Sequence, residues 1–302
     1  MNCLVTGGAG FIGSNLVDKL IEDGHRVLVL DDLSTGREEN INEKADFVKW
    51  DITKDWNESS ITIEEIDVIF HMAANPRVQP SIDNPIEFHN ANVNGMLNML
   101  VAAKDAGIKR FVFSSSSAIY GDVEEKDLPT SELSKINPIS PYALHKLIGE
   151  QYCKLFSKLY DMETVCLRYF NVYGDRMNLE GAYKLVIPIF TEQILNGEPM
   201  TINGDGEQKR DFVHVDDVVQ ANISAATSDN KFKGEIINIG SGDNRSVNQI
   251  ADMLGKERVY LDPVIEPKAT LANNKKARDI LNFSPSKNIE DWIPSWKKEM
   301  GL

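Results

Sequence analysis

The chain has 302 residues, 42% of them hydrophobic and 26% charged, the makeup of a globular chain with a sizeable core and, on length, about two domains. That balance excludes a disordered chain, a collagen and a disulfide scaffold. Asp and Glu outnumber Lys and Arg by 46 to 32, and the net charge of −14 argues against nucleic acid or a membrane face as partner, although focused arginines and helix N-termini can still bind a small anion.

No stretch approaches the roughly 18 uninterrupted apolar residues of a membrane span, and Met1–Val5 enters a strand-like run directly, so a cytoplasmic location is expected. Cys3, Cys153 and Cys166 are odd in number and lack CxxC or Cys/His spacing, which points to reduced core residues and to neither metal nor disulfide.

In chain order, short β-branched runs alternate with helical periods. Strands are predicted at 4–5, 26–30, 47–48, 67–70, 110–113 and 164–168, with helices such as 14–23 and 93–107 between them. Continuous apolar strands alternating with helices indicate an α/β fold, a Rossmann-type doubly wound parallel sheet covered on both faces. Beyond Gly174 the rhythm loosens into a helix over 184–196 carrying Pro188, a strand over 211–215, a helix over 216–226 and a strand over 236–239. Ser246-Val-Asn-Gln249 matches a capping box opening a helix through Leu254, and 262–267 reads as irregular loop. The expected division is a cofactor domain over 1–174, with a return segment at about 211–239, and a smaller C-terminal α/β substrate domain over most of 175–302.

Immediately after the first strand, Thr6-Gly-Gly-Ala-Gly-Phe-Ile-Gly13 opens the first helix and contains Gly8-x-Gly10-x-x-Gly13. Glycines there allow a tight turn, close backbone approach to a pyrophosphate and close helix packing, while the helix N-terminus presents unpaired N–H groups. Asp31 ends the second strand 18 residues past Gly13, near the spacing of a carboxylate that holds a ribose diol. With Asp32 beside it and no basic residue before Arg37, a 2′-phosphate would meet two negative charges, so NAD is favoured over NADP.

Ser114–Ser117 follow the fifth strand, and Tyr142-Ala-Leu-His-Lys146 lies 26 residues beyond Ser116 at a helix start, with Tyr and Lys on one face. A phenol is a poor base near neutrality until a neighbouring ammonium and the cofactor's own positive ring favour its phenolate, so the pairing suits a Tyr142 that moves a proton to or from a substrate hydroxyl. A serine opposite would steady the same oxygen. Alone, Tyr-x-x-x-Lys is more often packing plus a solvated charge; its weight comes from lying downstream of the glycine turn and the serine run.

These motifs resemble the extended short-chain dehydrogenase/reductase family, and within it the UDP-glucose (UDP-galactose) 4-epimerases. The similarity runs through Asp31-Asp-Leu-Ser-Thr-Gly36, Asp51-Ile52, His71-Met-Ala-Ala74, Asn92-Val-Asn-Gly95, Ser114 to Gly121, Tyr142/Lys146, Arg168 to Gly174 and Gly204 to Phe212. The resemblance implies a catalytic trio of Ser116, Tyr142 and Lys146. Its implied cofactor residues at the glycine turn are Gly7, Gly10, Phe11, Ile12 and Gly13. Asp31, Asp32, Ser34, Thr35 and Gly36 follow the second strand, and Asp51 and Ile52 would flank the adenine. Ala73, Ala74, Asn92, Ser114, Tyr142, Lys146 and Tyr169 complete the cofactor set. Ser116, Asn171, Arg210, Lys268 and Thr270 would face a UDP-sugar substrate, with Asn171 and Arg210 on its diphosphate. Lys268 stands in a shortened turn where the family usually offers an arginine, and Thr270 stands at the wall that discriminates N-acetylated sugars. A homodimer built on helices 93–107 and 142–160 is also implied.

Plainer roles compete with several of these. Asn171 can satisfy loop backbone, Arg210 can pair with Asp211 or Asp217, and His71, His145 and His214 read as packed histidines. The four tryptophans show no stacking spacing, and Glu124–Asp127 reads as a solvated loop. Relatives that eliminate water or carbon dioxide carry an acid where this chain has Ala118, with Ser117 replacing the usual dehydratase aspartate, which favours C4 epimerisation of a UDP-hexose through a transient 4-keto sugar. A dehydratase, decarboxylase or reductase of the same family, and a non-catalytic NAD-binding regulator, are the alternatives.

Overall fold

The computed structural model describes every residue except 60, 178–184, 256 and 265. The first half runs β1 (Asn2–Thr6), α1 (Phe11–Glu22), β2 (Arg26–Asp31), β3 (Asp46–Lys49), β4 (Val68–His71), α2 (Val78–Asp83), α3 (Pro85–His89), α4 (Met96–Asp105), β5 (Arg110–Ser116), α5 (Pro141–Tyr160) and β6 (Glu163–Tyr169). It continues through β7 (Asn171–Tyr173), α6 (Val186–Leu195), β8 (Met200–Asn203), β9 (Lys209–His214), α7 (Val215–Thr227) and β10 (Lys233–Ile239). The last elements are β11 (Asn244–Ser246), α8 (Val247–Leu254), β12 (Arg258–Leu261), α9 (Lys275–Leu281) and α10 (Ile289–Met300).

Seven strands form one parallel sheet in the order β10-β6-β5-β4-β1-β2-β3. The order reverses between β1 and β4, and open α/β sheets bind ligands at the carboxyl ends beside such a switch point. Side chains from the two faces fill separate cores. Cys3, Val5, Val29 and Phe70 pack with α1, α7 and α9, while Leu4, Ile69, Phe111 and Phe113 pack with α4 and α5. All three cysteines are free and buried.

Beyond β6, β11-β9-β7 make a three-stranded sheet and β12-β8 a parallel pair. Ile187, Phe190, Ile250, Leu254, Ile293 and Trp296, from α6, α8 and α10, bury their apolar faces there in a third core. The chain between Lys209 and Ile239 is shared between the units: β9 lies in the small sheet, whereas α7 packs on α1 and β10 extends the large sheet beside β6. Among the described residues no helix is long and apolar enough to cross a membrane.

Several boundaries differ from expectation for local reasons. α1 opens at Phe11, directly after the turn that Gly10 caps, rather than at Ser14. The helix expected from Val93 is reached through a π turn over Asn90–Gly95, where a Cβ on Gly95 would fall 2.7 Å from Ile52. Lys184 lies outside the described residues; α6 starts at Val186 and carries Pro188 in its first turn, where the missing N–H forfeits no helical bond. At α8 the capping box is complete in both directions, Gln249 N–H to Ser246 Oγ at 3.2 Å and Ser246 N–H to Gln249 Oε1 at 2.8 Å.

Candidate active site and cofactor cleft

A cavity of ≈ 840 Å³ opens across the carboxyl ends of β1, β2, β4, β5 and β6. Gly7 sits at φ +70 with its Cα pressed so closely on β4's end that a Cβ would fall 2.6 Å from Ala73 N. A Cβ on Gly13 would fall 2.1 Å from Gly7 O, so the first turn of α1 lies directly on the loop. Gly10 caps α1 without a side chain, and Phe11, Ile12 and Gly13 present their first-turn amides along the cavity wall.

Asp31 fixes the neighbouring loop. Its Oδ2 accepts from Ala9 N at 3.0 Å and its Oδ1 from Leu33 N at 2.8 Å, leaving further lone pairs for hydroxyls. Burial pushes its carboxyl up, and those two amides oppose the shift. Asp32, Ser34, Thr35, Asp51 and Ile52 line the same end, Ala73, Ala74, Ser114 and Tyr169 the middle. The volume lies within the usual range for ligand pockets, and the side-chain-free turn is the cradle a pyrophosphate requires; these residues fit a dinucleotide.

At the other end stand Ser116, Tyr142 and Lys146. Ser140 caps α5 through Ala143 N at 3.2 Å, and Pro141 occupies the first helical position. Tyr142 N–H donates to Ser81 Oγ at 3.1 Å, tying the helix start to α2. Lys146 is buried, donates from Nζ to the Ser114 carbonyl at 2.7 Å, and lies 5.9 Å from the Tyr142 ring centroid. Burial lowers its pKa to about 7, with Glu150 opposing. Burial raises Tyr142, and a hydrogen bond with Ser116 opposes that shift. The protein alone therefore holds Tyr142 as a neutral phenol, which leaves the positive ring of the cofactor as the second cation expected to favour the phenolate.

The far wall is assembled from three segments. Asn171 Nδ2 reaches Thr270 Oγ1 and Asp211 O, each at 3.3 Å, and Thr270 Oγ1 also accepts from Asp211 N at 3.1 Å. Asn171, Arg210 and Thr270 all line the cavity. Arg210 forms an ion pair with Glu266, rather than with Asp211 or Asp217, whose carboxylates hold backbone amides of Ser241, Gly242 and Ala272 and of Ser286.

With that geometry in place the comparisons are direct. The model of the NAD dependent epimerase/dehydratase family matches residues 3–240. The chain belongs to that family. It is 45% identical over 300 residues to a putative UDP-glucose 4-epimerase of Methanocaldococcus jannaschii, covering 99% of this chain and 94% of the relative. The crystal structure of a Thermotoga maritima UDP-glucose 4-epimerase with UDP-glucose superposes with a TM-score of 0.91 at 38% identity, covering 99% and 100%. A Bacillus cereus UDP-glucuronic acid 4-epimerase in complex with UDP-glucuronic acid and NAD superposes at 0.88 with 30% identity, covering 100% and 99%. The fold is that of the extended short-chain dehydrogenase/reductases, and NAD is the cofactor.

Within this family member three expected site residues stand outside the cavity lining. Gly36 backs Asp31, with a Cβ 2.9 Å from Asp31 Oδ1. Asn92 is buried behind the wall and clamps Asn75, accepting from its N–H at 2.7 Å and donating to its carbonyl at 3.0 Å. Lys268 is exposed, and its backbone carbonyl, not its ammonium, is engaged, by Lys209 N at 2.9 Å. Conversely Trp50, Asn75 and Arg77 line the cavity without having been singled out as binding residues. Adjacency to Asp51 and to Ala74 was the available signal. His71 is a core residue, stacked on Phe111 and Phe113 and bonded to Thr6 Oγ1 at 3.0 Å. His145 packs edge-on to His89 outside the lining, and His214 caps α7 through Asp216 N.

Proposed function

We propose that the chain epimerises C4 of a UDP-hexose, UDP-glucose/UDP-galactose and their N-acetylated forms being the first candidates. The observation that carries this reading is the composition of the catalytic end. Ser116, Tyr142 and Lys146 meet there, while Ala118 presents a methyl group to the same cavity where an eliminating enzyme carries its acid. Bound NAD⁺ supplies a reversible hydride acceptor. Tyr142 takes the C4 hydroxyl proton, Ser116 holds the developing oxygen, and Lys146 favours the tyrosinate. The wall of Asn171, Arg210 and Thr270 keeps the nucleotide in place while the 4-keto sugar turns over and Tyr142 returns the proton. The division of labour is between the large sheet, which holds the cofactor, and the segment from 175 onward, which closes on the sugar nucleotide.

One observation favours a second substrate reading. Arg77 lines the cavity and forms no ion pair among the described residues, and a free guanidinium suits a sugar carboxylate. A UDP-uronate belongs in the same assay. Purified protein incubated without added cofactor with UDP-galactose, UDP-N-acetylgalactosamine or UDP-glucuronate should yield the C4 epimer by NMR. Products lacking water or carbon dioxide would overturn the assignment.

A cytosolic homodimer is part of the same proposal. Of the apolar positions on α4 and α5, Met96 and Leu100 are spent in the internal core, whereas Leu155 and Leu159, together with Val101 and Leu144, are exposed. An apolar face of that kind on two neighbouring helices suits a four-helix interface. Light scattering should give twice the chain mass at micromolar concentration.

A further inference from the structure

Behind the catalytic end lies an ion pair that the reaction does not touch. Glu150 and Arg168 have no solvent-exposed side-chain surface. Arg168 donates from Nε to Glu150 Oε1 at 2.8 Å and from Nη2 to Oε2 at 2.7 Å. Ser115 Oγ donates to the same Oε1 at 2.5 Å. The remaining guanidinium nitrogen, Nη1, donates to Tyr120 OH at 2.7 Å, and that hydroxyl donates onward to Asn238 Oδ1 at 2.7 Å.

Its place relative to the active site is specific. Tyr142, Lys146 and Glu150 follow one another at four-residue steps on one face of α5. Three consecutive residues of β5 face them: Ser116 lies beside Tyr142 at the cavity, the Ser114 carbonyl accepts from Lys146 and Ser115 Oγ donates to Glu150. A buried pair of this kind is not required for stability, since well-packed apolar replacements are often as good or better. What an apolar pair would lack is a fixed negative charge one helical turn from a buried ammonium.

We infer that Glu150, clamped by Arg168 and Ser115, is a positioning residue that sets the register of α5 on β5 and supplies the charge that keeps Lys146 an ammonium. The inference rests on the role proposed for Tyr142 and Lys146. The titratable and charged groups that face Lys146 or its helix are His71 from β4, Tyr142, His145 and Glu150 from α5, and, from β6, Tyr169 in the shared cavity and Arg168 and Cys166 against Glu150. Among them Glu150 is the carboxylate, and it is the group that favours the charged form of Lys146 against burial. His71 and His145 are held neutral by burial and do not compete for the role.

The test follows the Lys146 ammonium directly, by the pH titration of its ¹³Cε signal in lysine-labelled holoenzyme, assigned with Lys146→Met. In Glu150→Gln the midpoint should fall by at least one pH unit, with kcat at pH 7 reduced tenfold or more and KM little changed. Glu150→Asp, which keeps the charge, should restore most of both. Should Glu150→Gln not fold because Arg168 is left unpaired, the double variant Glu150→Leu/Arg168→Met leaves no lone buried charge and is read in its place. An unmoved Lys146 midpoint in the variant that folds overturns the inference whatever the activity does. Failure of the Tyr142 assignment would appear separately, as turnover by Tyr142→Phe with the Lys146 shift intact.

Discussion

The turn between β1 and α1 and the wall on the opposite side of the cavity do comparable work with different construction. The turn is made within seven residues, Gly7 to Gly13, and its shape is dictated by backbone meeting backbone, Gly13 against Gly7 O and Gly7 against Ala73 N. The wall takes Asn171 from β7, Arg210 from β9 and Thr270 from the loop before α9, joined by hydrogen bonds of 3.1 to 3.3 Å and one ion pair. Backbone packing leaves no room for substitution, whereas side chains meeting side chains can be exchanged one at a time. Under the proposed function that difference provides a fixed cofactor and an adjustable sugar pocket.

The catalytic end belongs with the turn in rigidity, since Tyr142 and Lys146 sit on a capped helix anchored at both Ser81 and Ser114. Tyr142→Phe removes the oxygen to which the proposed mechanism assigns proton transfer, and nothing that packs. It should lower kcat by roughly 10³-fold, within the range for general acid–base groups, while NAD content and thermal stability stay near native. Near-native turnover would assign the proton to another group and dissolve the link between rigidity and catalysis.

Gly13→Ala challenges the turn itself. A methyl group 2.1 Å from a carbonyl oxygen forces α1 off the loop, and overpacking of this kind costs about 1–3 kcal/mol. Retained NAD, measured after gel filtration and denaturation, should fall to a small fraction of the wild-type content, with the melting temperature lowered as well. A variant that kept its full complement would show that the turn has more slack than its contacts allow.

Much of this half was legible because its signals are local. Glycine spacing, an acid ending β2 and Tyr-x-x-x-Lys at a helix start each depend on neighbours a few residues away. The wall was legible only by resemblance, and there the details moved. Glu266 rather than Asp211 or Asp217 pairs with Arg210, and Lys268 lies outside the cavity lining, because contacts across 56 residues or more depend on how the loop after β12 folds back. Arg77 and Trp50 differ from these: adjacency to Ala74 and to Asp51 places them near the cofactor end, but only the turns of the loops after β4 and β3 decide that their side chains line the cavity.

His71 gives the rigid half a pH signature. Buried against Phe111 and Phe113, its pKa is lowered from 6.5 to about 3 by burial, with Lys146 adding to the effect. Below pH 6.5 the unfolded chain therefore binds a proton that the folded chain refuses, so stability falls as the pH drops from 6.5 toward 3. Between pH 6.5 and 5 the loss should be about 2 kcal/mol. Urea melts of His71→Leu should show a flatter dependence over that interval, because Thr6 Oγ1 keeps the Ala73 N–H as a partner and no titrating group remains. Parallel slopes in the two proteins would mean that His71 is not the group responsible.

The adjustable wall should give the smallest and most selective effect. Thr270 lines the cavity despite the short loop before it, and its hydroxyl is held between Asn171 and Asp211, so its methyl group and backbone set the local boundary of the pocket. Thr270→Tyr adds a ring to that boundary and removes the hydroxyl that Asn171 bonds. An acetamido group at C2 should lose the space first, so kcat/KM for UDP-N-acetylglucosamine and its epimer should fall about tenfold more than for UDP-glucose and UDP-galactose. That factor matches the 1–3 kcal/mol by which a pocket discriminates groups of this size. Because Asp211 is independently fixed by Ser241, Gly242 and Ala272, the wall itself should survive the change, and NAD content should be untouched. Equal loss for both substrate pairs would place the discriminating contact elsewhere in the cavity, and loss of NAD would show that wall and turn are coupled after all.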